Sequence, residues 1–117
     1  MTWKKLNTLG HKKKEFRYGG SVDQNVVLDQ SGQPRIDATF FNAALKHFSG
    51  KTISGGFSQD NPLVGGFGEW VRDQSPRHNC RQLSPRHGSF MAAILCAEKG
   101  VKSWLEGNSI KLKFPVA

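Results

Sequence analysis

Residues 83–100, Leu-Ser-Pro-Arg-His-Gly-Ser-Phe-Met-Ala-Ala-Ile-Leu-Cys-Ala-Glu-Lys-Gly, decide the fold because they carry a helix start, an apolar body and a helix stop. Ser84 is a residue type that caps the free amides of a first helical turn. Pro85 follows at the first helical position, where its missing N–H costs nothing. Gly100 suits the left-handed position that ends a helix, and Lys99 suits the negative end of the helix dipole.

The body of this stretch indicates a buried element. The eight residues from Phe90 to Ala97 carry no charge, and a helix that is apolar all round is normally covered on most sides. Gly107-Asn108 lies between two alternating runs and predicts a C-terminal β-hairpin. We therefore expect an α+β fold: one small domain, residues 1–117, with an antiparallel sheet and this hairpin packed on about three helices around the buried helix 85–99.

Weaker local signals predict the remaining elements. Glycine pairs and Ser-Pro are common breakers of regular structure, so Gly19-Gly20 is expected to end a strand and Ser75-Pro76 to end a helix. The tetrapeptide Ser75-Pro76-Arg77-His78 recurs as Ser84-Pro85-Arg86-His87, and both copies are interpreted as helix or turn starts. The expected strands are 2–6, 11–18, 22–29 and 51–54, and the expected helices are 37–48, capped by Asp37, and 68–74.

The composition bounds the class of protein. No run of about 18 apolar residues is present, and no apolar segment follows the basic N-terminus, so we expect a soluble cytoplasmic protein without membrane contact. The two cysteines, Cys80 and Cys96, are expected to be free thiols, although a disulfide between them is an open alternative. His78 and His87 lack the close ligand pairing of zinc sites, so no metal and no cofactor are expected.

The charge distribution predicts a polyanion partner, DNA or RNA. The chain has a net charge of +8, and its basic N-terminal segment, residues 1–20, holds six cations against one carboxylate. Aromatic residues interleaved with cations in residues 11–18 suit stacked bases and phosphates, or else an edge strand guarded by lysines. The candidate anion-binding residues are Lys12, Lys13, Lys14, Arg17, Arg77, Arg81, Arg86, His87, Ser89, Lys111 and Lys113. Binding without catalysis is the expected function, and a homodimer is possible.

Arg86 is the strongest single candidate. It falls in the first turn of the predicted helix, where the dipole disfavours a cation by up to ~1 kcal/mol. An arginine beside free helix amides suits a phosphate. The alternative is an ion pair with Asp73 or Glu69.

Residues 66–114 resemble a winged helix-turn-helix domain of the catabolite-activator type. The resemblance rests on a short helix, a turn, a helix that opens with Ser84-Pro85-Arg86-His87, and a hairpin that ends in Ser109-Ile110-Lys111-Leu112. It implies a DNA-binding regulator in which Arg86, His87 and Ser89 contact bases. Lys102, Lys111 and Lys113 would then contact phosphates. Phe90, Ala93 and Cys96 stand where such a helix has its polar stripe, which favours a helix covered on both sides.

Two other functions are open. The glycine-rich loop 55–68, with Phe57, Phe67 and Trp70, is typical either of a compact surface loop or of a ligand- or protein-binding site. His78, His87 and Arg86 have the side chains that a ribonuclease would use as base, acid and charge clamp. In size and composition the chain also resembles small orphan proteins encoded by bacterial mobile elements.

Overall fold

A computed structural model describes residues 2–10, 13–79 and 81–117. The first half of the chain forms a four-stranded antiparallel meander in the order β1-β2-β3-β4. Each strand pairs antiparallel with the next along the chain. The strands are β1 (Lys4–Asn7), β2 (Glu15–Ser21), β3 (Asn25–Leu28) and β4 (Arg35–Ile36).

The second sheet has three antiparallel strands in the order β5-β7-β6. The predicted C-terminal hairpin is confirmed, with β6 (Lys102–Glu106) and β7 (Ser109–Lys113) joined by Gly107-Asn108. β5 (Thr52–Ser54) pairs with the other side of β7. Leu112 and Phe114 are fully buried on the inner face of this sheet, as the alternating pattern predicts.

The described chain has three helices, α1 (Ala38–His47), α2 (Phe67–His78) and α3 (Pro85–Lys99), and β5 lies between α1 and α2 in the sequence. The predicted central helix is confirmed at both ends, because Ser84 is its N-cap and Gly100 ends it at φ +73°. The five residues from Met91 to Leu95 are at most 4% exposed and lie in the apolar core. The fold is therefore the expected small α+β domain, with two antiparallel sheets. No helix in the described part of the chain is long and apolar enough to cross a bilayer.

Two of the predicted breaks are wrong. Strand β2 runs through Gly19-Gly20 to Ser21. Gly20 has φ +83° and lies so close to the Asn25 carbonyl oxygen that a side chain at this position would collide with it. The glycine allows the strand to approach its neighbour and does not end it. The expected strand 22–29 is correspondingly shorter, since residues 22–24 form the turn before β3.

Helix α2 continues through Pro76 to His78, where the sequence predicts its end at Ser75-Pro76. A proline inside a helix removes one backbone hydrogen bond and disfavours helical geometry at the residue before it. Here that residue, Ser75, is fully buried, and its Oγ accepts the Leu83 N–H at 2.8 Å. The Ser75 carbonyl accepts the Asn79 N–H at 2.8 Å. Tertiary contacts thus hold the turn that proline disfavours, and the first Ser-Pro-Arg-His ends a helix while the second starts one.

Candidate nucleic-acid interface

The amino end of α3 is held by a capping box between Ser84 and His87. The Ser84 N–H donates to Nδ1 of His87 at 3.0 Å, which places the proton of the neutral ring on Nε2. His87 therefore takes the place of the Glu or Gln usual at this third helical position. Burial of the ring lowers the pKa of His87, and the charges of Arg81 and Arg86 lower it further. The imidazole is consequently neutral at pH 7 and fixes the helix start.

Arg86 is exposed on the first turn of α3, and no ion pair among the described residues includes it. Neither carboxylate considered as its partner is available. Asp73 pairs with Arg72 at 2.8 Å, and Glu69 accepts the Gly65 N–H at 3.1 Å. The guanidinium of Arg86 is thus a cation without a carboxylate partner in the described chain, at the end of the helix where the dipole disfavours it.

Two clefts of about 430 and 460 Å³ adjoin each other at Arg86. Gln30, Arg86 and Phe90 line both of them. Their volumes lie in the range of small-ligand pockets. We call the combined surface the basic groove, and define it by Lys14, Gln30, Arg86, His87, Ser89 and Phe90. Among the described residues that line it, Glu15 is the one carboxylate. The groove brings together the start of β2 and the start of α3, which are some seventy residues apart.

Two packing contacts shape the groove. Phe90 is half-buried because its ring packs edge-on against Phe16 of β2, with 5.0 Å between ring centroids. Phe57 also lines the groove. Its ring packs on Gly88 of α3, where an added Cβ atom would lie 3.4 Å from the Phe57 ring. The same Cβ atom would lie 3.4 Å from the Gly68 Cα, so Gly88 packs at ordinary contact distance on both Phe57 and α2.

The structure sorts the predicted anion-binding residues into separate groups. Lys14, Arg86, His87 and Ser89 line the basic groove, and Lys13 lines a smaller cleft next to it that shares Leu9. Arg17 pairs with Asp29 at 2.6 Å, and Arg81 donates to the Gly32 carbonyl at 3.1 Å. Arg77 is exposed on the last turn of α2, Lys111 donates to Ser54 at 2.8 Å, and Lys113 is exposed on the outer face of the second sheet. Lys12 lies outside the described residues.

The glycine-rich loop does not present its aromatic residues together. Phe67 is fully buried in the core and Trp70 packs parallel to Phe40, with 5.0 Å between centroids. The Glu69 carboxylate accepts the Gly65 N–H just before α2, so an anion would meet a negative charge there. Phe57 instead lines a cleft of about 270 Å³ between this loop and the C-terminal hairpin, without Phe67 or Trp70, and the two interpretations of the loop stay predictions.

The ribonuclease set is also divided. The His78 ring stacks on Phe40, with 6.3 Å between ring centroids, and lines a cleft with Lys46, His47 and Trp70. His87 and Arg86 line the basic groove instead. No spacing rule predicts the pairing of His47 with His78, since α1 and α2 bring them together only in the fold.

Cys96 is half-buried, and burial raises the pKa of its thiol. Its pairing with Cys80 falls outside the described residues. Within the described chain, no three metal-ligating side chains gather at one point. No family model matches this sequence, and comparison with curated proteins and with solved structures found no match.

Proposed function

We propose that this protein binds single-stranded nucleic acid, without cleaving it, in the basic groove. The observation that carries the proposal is the convergence of Lys14 and Arg86 on one groove with Phe90, in a chain of net charge +8. A positively charged groove with aromatic side chains suits single strands, because phosphates contact the cations while bases stack on the rings. Gln30 and Ser89 add polar groups at the same surface.

A single strand fits better than a duplex for a geometric reason. A recognition helix in a major groove needs an exposed polar face along several turns. In α3 the exposed cation is in the first turn, and residues 91–95 are buried. The winged-helix resemblance predicts contacts from the same three residues, Arg86, His87 and Ser89, so the form of the nucleic acid separates the two modes of binding.

Binding of labelled oligo-dT, oligo-U and a duplex of equal length tests the proposal by fluorescence anisotropy over a series of salt concentrations. Affinity should fall steeply with salt, because neutralised phosphates release counterions. Arg86→Ala should weaken single-strand binding and lower the salt slope by about one unit. The oligonucleotides should be recovered uncut.

Arg77→Ala is the matched control, since it removes the same charge from an exposed position on the last turn of α2, where it does not line the groove. It should leave the affinity nearly unchanged. Equal losses in both variants would mean that net charge, and not the groove, attracts the polyanion. Absence of binding at low salt would refute the function, and a preference for the duplex would favour the winged-helix mode.

A further inference from the structure

Strand β6 is an edge strand: no strand in the described chain pairs with its outer side, although Trp104 and Leu105 line a cleft with Leu9 and Gly10. It pairs with β7 on one side, stands last in the sheet order, and all five of its residues are exposed. Trp104 and Leu105, at 38% and 41% exposed, are two of its central residues. Open edges with apolar side chains are templates for pairing with another strand, and natural proteins usually protect them.

The backbone groups that β6 offers can be assigned from the neighbouring strand. Ile110 accepts the Gly55 N–H, and Phe114 donates to the Lys51 carbonyl, so the even-numbered residues of β7 bond towards β5. The odd-numbered residues of β7 therefore bond to β6, where they stand opposite Lys102, Trp104 and Glu106. The N–H and C=O groups of Ser103 and Leu105 consequently point away from β7, along the open edge.

The sequence of β6 is complementary to itself when run in the opposite direction. Pairing two copies about Trp104 places Lys102 of each opposite Glu106 of the other, and Ser103 opposite Leu105. The outward groups of Ser103 and Leu105 then form two hydrogen-bonded pairs. Trp104 faces Trp104 in a non-hydrogen-bonded pair, where side chains are closest and aromatic pairs contribute most.

The other edge strands lack this property. β1 begins with Lys4-Lys5, so pairing with itself would gather four ammonium groups on two paired strands of four residues each. β4 and β5 are two and three residues long. We infer that this protein forms a two-fold symmetric dimer by antiparallel pairing of β6 with β6 of a second copy, which joins two three-stranded sheets into one of six strands.

Sedimentation equilibrium over a wide range of protein concentration tests the dimer, since the monomer has a mass of 13.0 kDa. The wild type should approach twice this mass as concentration rises. Glu106→Lys should abolish association, because it places lysine opposite Lys102 twice, and Lys102→Glu should do so by placing two glutamates opposite each other. Asp60→Lys, an exposed loop substitution with the same charge change as Glu106→Lys, is the control and should dimerise like the wild type.

Mixing the two charge variants gives the decisive result. Neither should self-associate, yet an equimolar mixture of Lys102→Glu and Glu106→Lys should form a heterodimer, because each mixed pair then joins opposite charges. A wild type that stays monomeric at every concentration overturns the inference. So does a Glu106→Lys protein that dimerises as well as the wild type, or a mixture that remains monomeric.

Discussion

The two ends of α3 carry charges of the wrong sign for the helix dipole, and they differ in how the rest of the chain treats them. At the carboxyl end, Glu98 stands where the dipole disfavours an anion. Its carboxylate accepts the Tyr18 hydroxyl at 2.6 Å and the Val22 N–H at 3.0 Å, and Lys4 lies 4.0 Å away. At the amino end, Arg86 stands where the dipole disfavours a cation, and no described carboxylate pairs with it.

The difference separates a charge that the fold compensates from one that has no ion-pair partner among the described residues. Glu98 ties the end of α3 to β2 and to the turn that follows it, so its unfavourable position is offset within the fold. Lys99 adds to the same connection through Asp23 at 2.9 Å. Arg86 has no such compensation in the described chain, which is the condition expected of a residue whose partner is a ligand.

Glu98→Ala should have the largest effect. The substitution leaves the buried Tyr18 hydroxyl and the Val22 N–H without their acceptor, and losing hydrogen bonds to a charged group of this kind costs about 2–4 kcal/mol. Urea denaturation should show this loss in the free energy of unfolding, with Arg86→Ala as the matched control within about 0.5 kcal/mol of the wild type. Equal costs at the two ends would remove the distinction between them.

The stability of the fold at alkaline pH should depend on Tyr18. Burial raises the pKa of Tyr18, and its hydrogen bond to Glu98 and the Glu98 charge raise it further. The unfolded chain therefore loses this proton near pH 10 while the folded chain keeps it. The unfolded state binds fewer protons above that pH, so stability falls there by up to ~1.4 kcal/mol per pH unit.

Because Tyr18 is the one tyrosine of the chain, tyrosinate absorbance reports it without interference. Ionisation should coincide with alkaline unfolding, and Tyr18→Phe should reduce the fall in stability between pH 10 and 12. Lysine titration contributes to both proteins alike, so their difference isolates Tyr18. A tyrosine that ionises near pH 10 in the folded protein would show that the carboxyl end of α3 is looser than its contacts indicate.

The same contrast explains how much the sequence predicts. Both ends of α3 follow from Ser84, Pro85 and Gly100, because capping is local and depends on a few neighbouring residues. The path of α2 through Pro76 does not follow, since it depends on Leu83 bonding to a buried serine. The partner of Glu98 does not follow either, because Tyr18 lies eighty residues away and nothing local connects them.

The candidate site shows a similar division. Arg86 and Lys14 are identifiable from charge and position, and their assembly in one groove is a property of the fold. The presence of Gln30 and Phe90 in the groove is not predictable, because a polar turn residue and an apolar helix residue carry no sequence signal of binding. Arg17 has the same composition signal as Lys14, yet it is neutralised by Asp29, which charge counting cannot detect.

Arg86→Glu should have the smallest effect on the free energy of unfolding, and the direction of that effect distinguishes the two ends of α3. Arg86→Glu places an anion at the amino end of α3, which the dipole favours by about 0.3–1 kcal/mol, and removes a positive charge that acts on His87. We expect a small gain in the free energy of unfolding by urea together with a loss of oligonucleotide binding greater than that of Arg86→Ala.

Glu98→Lys makes the corresponding dipole-favoured change at the other end of α3, where it should lower the free energy of unfolding because it removes the acceptor for the Tyr18 hydroxyl. Opposite signs for the two charge reversals would show that the fold depends on the charge of Glu98 and not on that of Arg86. A loss of more than ~1 kcal/mol in Arg86→Glu would instead assign Arg86 a structural partner within the chain.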